Sequence, residues 1–301
     1  MSTPDKPPTL DPAAASRWAA RPLPASAWLH EEVARRMQER LDVIKLQPQA
    51  LADWEPLRGG LQAHQTLRAR YPQAAVWQVV GQAVEAQRVQ AQSATAWWQP
   101  SRWTGPKVQA GQPPEGGVQM VWANMLLHLV ADPQTLIGQW HRALAVDGFL
   151  MFSCLGPDTL RELRAVHAAM GWPAPAHEFT DMHDWGDMLV QAGFAEPVMD
   201  MERITLTFET PERLLQELRE LGRNLHAGRF AGLRGRGWQQ QWLQALAEKG
   251  ERDRDGRLKM SFEVIYGHAL KPVARTKMLP ESQIGLDDMR QMLASRRASR
   301  P

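Results

Sequence analysis

Cysteine is nearly missing from this chain. Cys154 is the one thiol in 301 residues, which excludes an intrachain disulfide and any metal cluster held by thiolates. It lies in an apolar run and reads as a small core residue rather than a nucleophile. Long hydrophobic runs are missing too. The longest, Val118 to Ala131, is interrupted by Gln119, Asn124 and His128 and is too short to span a bilayer. The Pro- and Ala-rich amino terminus lacks the apolar segment of a secretory signal, so the expected location is cytoplasmic. Net charge is only +2, and no recognised binding motif or basic–aromatic interleaving accompanies it; neither nucleic acid nor a membrane is an expected partner. No internal repeat is evident. What is present, 44% hydrophobic and 23% charged residues, is ordinary globular composition.

The most informative stretch is 147–171. The pair Asp147-Gly148 opens a short apolar run, Phe149 to Leu155, and Gly156-Pro157-Asp158 then starts a helical segment reaching Met170. That pattern predicts a buried strand handed to a helix through a tight turn. Ligands in open α/β sheets sit just outside the carboxyl ends of such strands, so Gly156, Pro157 and Asp158 form either a pocket wall or simply a helix start. Further strands are expected at Leu51–Trp54, Ala75–Val80, Val118–Ala123, 198–208 and 260–266, with a weak one near Val108. Helical patterns cover Trp28–Lys45, Leu61–Tyr71, 82–95, a segment capped by Asp132-Pro133, one capped by Asp181, one capped by Thr210-Pro211, and 238–249. Strands alternating with helices imply a parallel sheet, and the two late alternating strands an antiparallel addition at one edge. Residues 1–26 read as a mobile arm and 273–301 as a disordered basic tail.

Several polar residues stand out. Asn124 and His128 follow a strand end and are either ligand-lining or a turn cap and a partly buried polar residue. Asp181, His183 and Asp184 suit helix capping better than metal binding, since no further ligand is evident. Arg219, Arg223, Arg229, Arg234 and Arg236 cluster with only Glu220 to offset them. They form either a solvated face or a patch that steers an acidic partner.

Three blocks carry a family resemblance: VQMVWANMLLHLVADPQTLIGQWHRALAVDGFLMFSCLGPDTLREL, FTDMHDWGDMLVQAGFAEPVMDMERITLTFETPERLLQELRELGRN and SFEVIYGHALKP. They resemble the class I S-adenosylmethionine-dependent methyltransferases, and among them the biotin-synthesis subgroup that methylates the free carboxyl of malonyl-acyl carrier protein. The resemblance implies an α/β, Rossmann-like fold with a seven-stranded, mostly parallel sheet and an antiparallel edge strand. It implies one domain over 27–272, with 171–182 and 209–258 as a helical lid. S-adenosylmethionine is the implied cofactor, contacted by Asp53, Gly59, Asn124 and His128. An acyl carrier protein or small acyl substrate is the implied partner, met by Gly156, Pro157, Asp158, Arg219, Arg223 and Arg234. Complex I assembly factors of the same fold share the late strands and are a second resemblance.

Departures from the family pattern fall on the cofactor loop. In LADWEPLRGG, Asp53 matches the acidic start and Gly59 the last glycine, but Glu55 and Leu57 stand where the first two glycines of the turn belong. At the end of the second strand Gly81 or Gln82 replaces the acid that holds the ribose hydroxyls, with Glu85 as a stand-in. Gln119 replaces an aspartate at the start of the fourth strand. The expectation is therefore weak or absent cofactor affinity. Two functions follow from the resemblance: an O-methyltransferase whose substrate carboxylate is held by an arginine, or an inactive relative acting as an assembly or regulatory partner.

Overall fold

Seven strands form one sheet in the order β3-β2-β1-β4-β5-β7-β6. They are β1 (Ala50–Trp54), β2 (Ala75–Val79), β3 (Val108–Ala110), β4 (Val118–Ala123), β5 (Leu144–Leu155), β6 (Ala195–Phe208) and β7 (Leu258–Leu270). The computed structural model describes residues 10–81, 108–230 and 232–273. Strands β3 to β5 run parallel. Strand β7 runs antiparallel to both β5 and β6, so the reversed strand is inserted beside the edge and β6 takes the edge itself.

Nine α-helices are described: α1 (Pro12–Ala19), α2 (Trp28–Glu39), α3 (Pro56–Gly59), α4 (Leu61–Arg70), α5 (Pro133–Ala143), α6 (Arg161–Ala169), α7 (Met182–Gln191), α8 (Pro211–Leu221) and α9 (Arg236–Lys249). They cover both faces of the sheet, and alternation along the strands sorts the core into two clusters. Leu51, Met120, Trp122, Phe149 and Met151 face α2, α4, α6, α8 and α9. Ala52, Trp54, Val121, Leu150, Phe152 and Cys154 face α5 and α7. A strand covered on both sides has no solvent face, which is why Phe149–Leu155 is apolar but for the buried Ser153. No described helix is long and apolar enough to cross a membrane.

The caps follow the sequence. Asp132 accepts from Thr135 N at 3.0 Å, Asp181 from His183 N and Asp184 N at 2.7 and 3.0 Å, and Thr210 from Arg213 N at 3.2 Å. Asp181 is thus a cap, as the spacing suggests.

Two expectations need correction. Residues 10–26 are not a mobile arm: Asp11 caps α1, its own amide donates to Leu225 O at 3.0 Å, and Ala14, Ala15 and Trp18 pack with Leu10 and Leu225 in a third core cluster. Buried apolar area and a satisfied cap hold this helix down. The helix expected from Pro157 starts only at Arg161, behind Leu160 at φ 60°. Segment 156–160 is instead tied to β7, with Gly156 N donating to Glu263 O (2.9 Å) and Leu160 N to Ser261 O (2.7 Å). The helix expected at 82–95, the substitutes Gln82 and Glu85, residues 1–9 and the tail from 274 lie outside the described residues.

Candidate functional site

The loop after β1 and the ends of β2, β4 and β5 converge at the carboxyl side of the sheet, where this architecture places ligands. Asp53 is buried there and spoken for. His64 Nδ1 donates to its carboxylate at 2.7 Å, while His64 Nε2 accepts from the Gln78 amide at 3.0 Å. Burial pushes the Asp53 carboxyl up, an effect the His64 contact only partly offsets. Asn124 is equally committed: its amide nitrogen donates to His30 O (2.8 Å) and Gly59 O, and its oxygen accepts from Ser153 Oγ (2.6 Å). Gly59 has to be glycine, since a Cβ would stand 2.8 Å from the Asn124 carbonyl oxygen. These two residues are brought together, but they meet each other. Gln119 lies at the opposite, amino end of β4, where its side-chain oxygen accepts from Gln49 N and Ala50 N at 3.1 and 2.8 Å.

Glu55 adopts a left-handed conformation, φ 55° and ψ 54°, of the kind glycine tolerates best. Its side chain crosses to the end of β2 and accepts from Gly81 N at 2.7 Å. Leu57 is 3% exposed. Arg58 is buried and donates to Ala19 O and Arg21 O at 2.9 and 2.6 Å. The amides at the start of α4, Gln62 N and Ala63 N, donate to Glu31 at 3.0 and 2.9 Å. A helix amino terminus and a glycine turn are the features that hold the charged parts of a nucleotide-like ligand. Here both are occupied by the chain's own carboxylates, Glu55 and Glu31, which S-adenosylmethionine would have to displace.

A cavity of about 910 Å³ opens under α1, α6, α8, α9 and segment 173–179. Its floor is apolar, with Leu155, Leu160, Leu163, Trp238, Trp242 and Phe262. Arg17, Arg21, Arg219, Arg223, Arg229 and Arg234 line it, and no Asp or Glu does among the described residues. Arg229 is paired with Asp11 at 2.5 Å. Arg234 stacks on Trp238, its guanidinium carbon 3.5 Å from the ring centroid, and Arg223 lies 5.4 Å over Trp18. Burial, and secondarily the neighbouring Arg21 and Arg219, draw Arg223 below its ordinary value. The cavity's histidines are neutral. Burial holds His128 well below its usual value and His177 down to about 4, and it lowers His167 too.

The expected residues are therefore divided. Arg219, Arg223 and Arg234 line the cavity. His128 belongs to it as well, and to a smaller cavity of about 360 Å³; its Nδ1 accepts from Leu155 N at 3.3 Å. Gly156, Pro157 and Asp158 line neither cavity. Asp158 pairs with Arg203 of β6, and a Cβ on Gly156 would meet Glu263 Oε1 at 2.2 Å. The wall is made by their neighbours Leu155 and Leu160. Arg17, Trp18 and Arg21 were not expected at the site. The pair Asp11-Pro12, a cap followed by proline at the first helical position, is the signal that marks their helix.

No family model matches the chain. Its curated relatives are informative. It is 41% identical over 272 residues, 85% of this chain and 89% of the relative, to a malonyl-[acyl-carrier protein] O-methyltransferase of Gallionella capsiferriformans. It is 38% identical over 270 residues to one of Methylovorus, with 86% and 88% of the two chains covered, and 37% identical over 269 residues to one of Laribacter hongkongensis, with the same shares covered. Among solved structures, a putative methyltransferase of Bacillus halodurans superposes with a TM-score of 0.54 at 13% identity, covering 80% of this chain and all of that one. The YcgJ protein of Bacillus subtilis gives 0.53 at 10% identity, covering 80% and 99%. At such identity these two speak for the fold, a Rossmann-like methyltransferase fold. On its sequence relatives, the chain belongs to the malonyl-[acyl-carrier protein] O-methyltransferase family.

Proposed function

We propose that this protein esterifies the free carboxyl of malonyl-acyl carrier protein, an O-methylation serving biotin biosynthesis in the cytoplasm, with S-adenosylmethionine as the methyl donor. The observation that carries this reading is the cavity at the strand ends: apolar within, lined by six arginines and by no carboxylate among the described residues. A malonyl thioester presents a short acyl chain ending in a carboxylate, delivered by a strongly acidic carrier, and both charges match such a lining. The substrate carboxylate is ionised at neutral pH, so it needs no general base. What the protein contributes is position. A guanidinium presents donors in a fixed fork that suits a carboxylate and stays charged throughout the physiological range. Neutral His128, His167 and His177 add no titrating charge near pH 7, so anion binding here should vary little between pH 6.5 and 9.

Intact mass measurement of malonyl-acyl carrier protein incubated with the purified protein and S-adenosylmethionine tests the proposal. Formation of a methyl ester, absent when the donor is withheld, is the expected result. A carrier that neither binds nor gains a methyl group, at saturating donor, would overturn it.

A further inference from the structure

We propose that the cofactor turn is held shut by the chain itself, with the Glu55 side chain as its latch. The proposal rests on the reading above only in naming the ligand kept out. Glu55 occupies the first glycine place of the turn in a left-handed conformation, one that costs a non-glycine residue energy and persists only where its surroundings hold it. Here they do. The Glu55 amide donates to Val79 O at 2.7 Å, and its carboxylate takes the Gly81 amide at 2.7 Å. The side chain therefore spans from β1 to β2 across the mouth of the turn.

The latch is keyed to another part of the fold. Arg58 Nε stands 3.7 Å from Glu55 Oε2, and its guanidinium is buried beneath the Trp18 ring, 5.6 Å from the centroid. That cation gains partners from two directions: the Glu55 carboxylate and the carbonyls of Ala19 and Arg21 at the end of α1. Removing a buried cation's counterion is costly, so the α1 contacts also hold Glu55 in place. Glu31 closes the second opening. It caps α4 from α2, and its Oε2 lies 2.9 Å from where a Cβ on Gly60 would sit. An intramolecular carboxylate gives up no translational freedom to make these contacts, whereas an arriving ligand does. The ligand must displace Glu55 from Gly81 before the turn can take it.

Titration calorimetry with S-adenosylhomocysteine on the full chain tests the latch. Wild type is expected to bind weakly. Glu55→Gly restores a residue suited to the left-handed turn and removes the latch, so it should tighten binding by roughly tenfold or more. Glu31→Gln leaves the Glu55–Arg58 contact intact and should tighten it less. A single cooperative melting transition for each variant, lowered in Glu55→Gly by the loss of the Arg58 counterion, establishes that the variants are folded. Low-micromolar wild-type binding that Glu55→Gly weakens would overturn the proposal and make Glu55 a ligand to the ribose instead. Two folded variants with no gain in affinity would overturn it as well. A variant that binds S-adenosylhomocysteine yet leaves malonyl-acyl carrier protein unmethylated, when supplied with S-adenosylmethionine, would sink the proposed function while supporting the latch.

Discussion

Truncating Leu163 to alanine separates a residue that seals the core from one that borders a cavity. Leu163 is 2% exposed on α6 and packs into the cluster that backs the sheet, but it also lines the 910 Å³ cavity. Leu214 on α8 is fully buried in the same cluster and does not line that cavity. Each Leu→Ala change removes three carbons, at roughly 0.8 kcal/mol apiece, or about 2.4 kcal/mol of transfer free energy. At Leu214 the space left behind is sealed, so a cavity term adds to this and the total should reach roughly 3–5 kcal/mol. At Leu163 the removed atoms merge with existing space, so that term is small and the loss should stay near 2–3 kcal/mol. Urea unfolding of wild type and both variants, with unchanged m-values, measures the pair. A loss at Leu163 equal to or larger than that at Leu214, or one below about 1 kcal/mol, would refute the reasoning.

Three further outcomes are expected. Reversing Arg219 and Arg234 to Glu should slow association with malonyl-acyl carrier protein roughly tenfold at low salt. The difference should shrink as ionic strength rises and screening shortens toward about 8 Å; stopped-flow rates matching wild type would remove the arginines from the docking surface. Burial holds His177 at about 4 against 6.5 in the unfolded chain, so between those values the unfolded chain binds the extra proton. Stability is then intact above pH 6.5 and lost as pH falls toward 4; in urea titrations at pH 7 and 5, His177→Gln should reduce the acid loss, and an unaltered loss would contradict the assignment. Asp158 and Arg203 pair with about half their side-chain surface exposed, so Asp158→Asn should change stability by less than about 1 kcal/mol, and a fall of several would reveal a network beyond this pair.

Local chemistry in the sequence determined most of the fold. The apolar run Phe149–Leu155, interrupted only by Ser153, declares a strand covered on both faces, and alternation through Ile204, Leu206 and Phe208 declares a strand open on one. Asp132-Pro133, Asp181 and Thr210-Pro211 each announce a helix start, because a cap needs only a side-chain oxygen and the two or three amides beyond it. Asp11-Pro12 carries the same signal, yet whether that short helix stays put depends on Leu225 and Arg229, far along the chain, and nothing near residue 11 encodes them. The site was legible as residue types at wrong or right places: Glu55 and Leu57 where glycines belong, and arginines gathered between 219 and 236. Only the tertiary structure decided where those side chains go. It sent Glu55 across to Gly81, turned Asp53 inward to His64, and brought Arg17 and Arg21 beside Arg219 and Arg223. It also moved the pocket wall from Gly156–Asp158 to Leu155 and Leu160. Caps and periodicities act within a few residues, so one stretch of sequence contains them whole. A cavity is made of side chains from separate elements, and their meeting is set by how those elements pack.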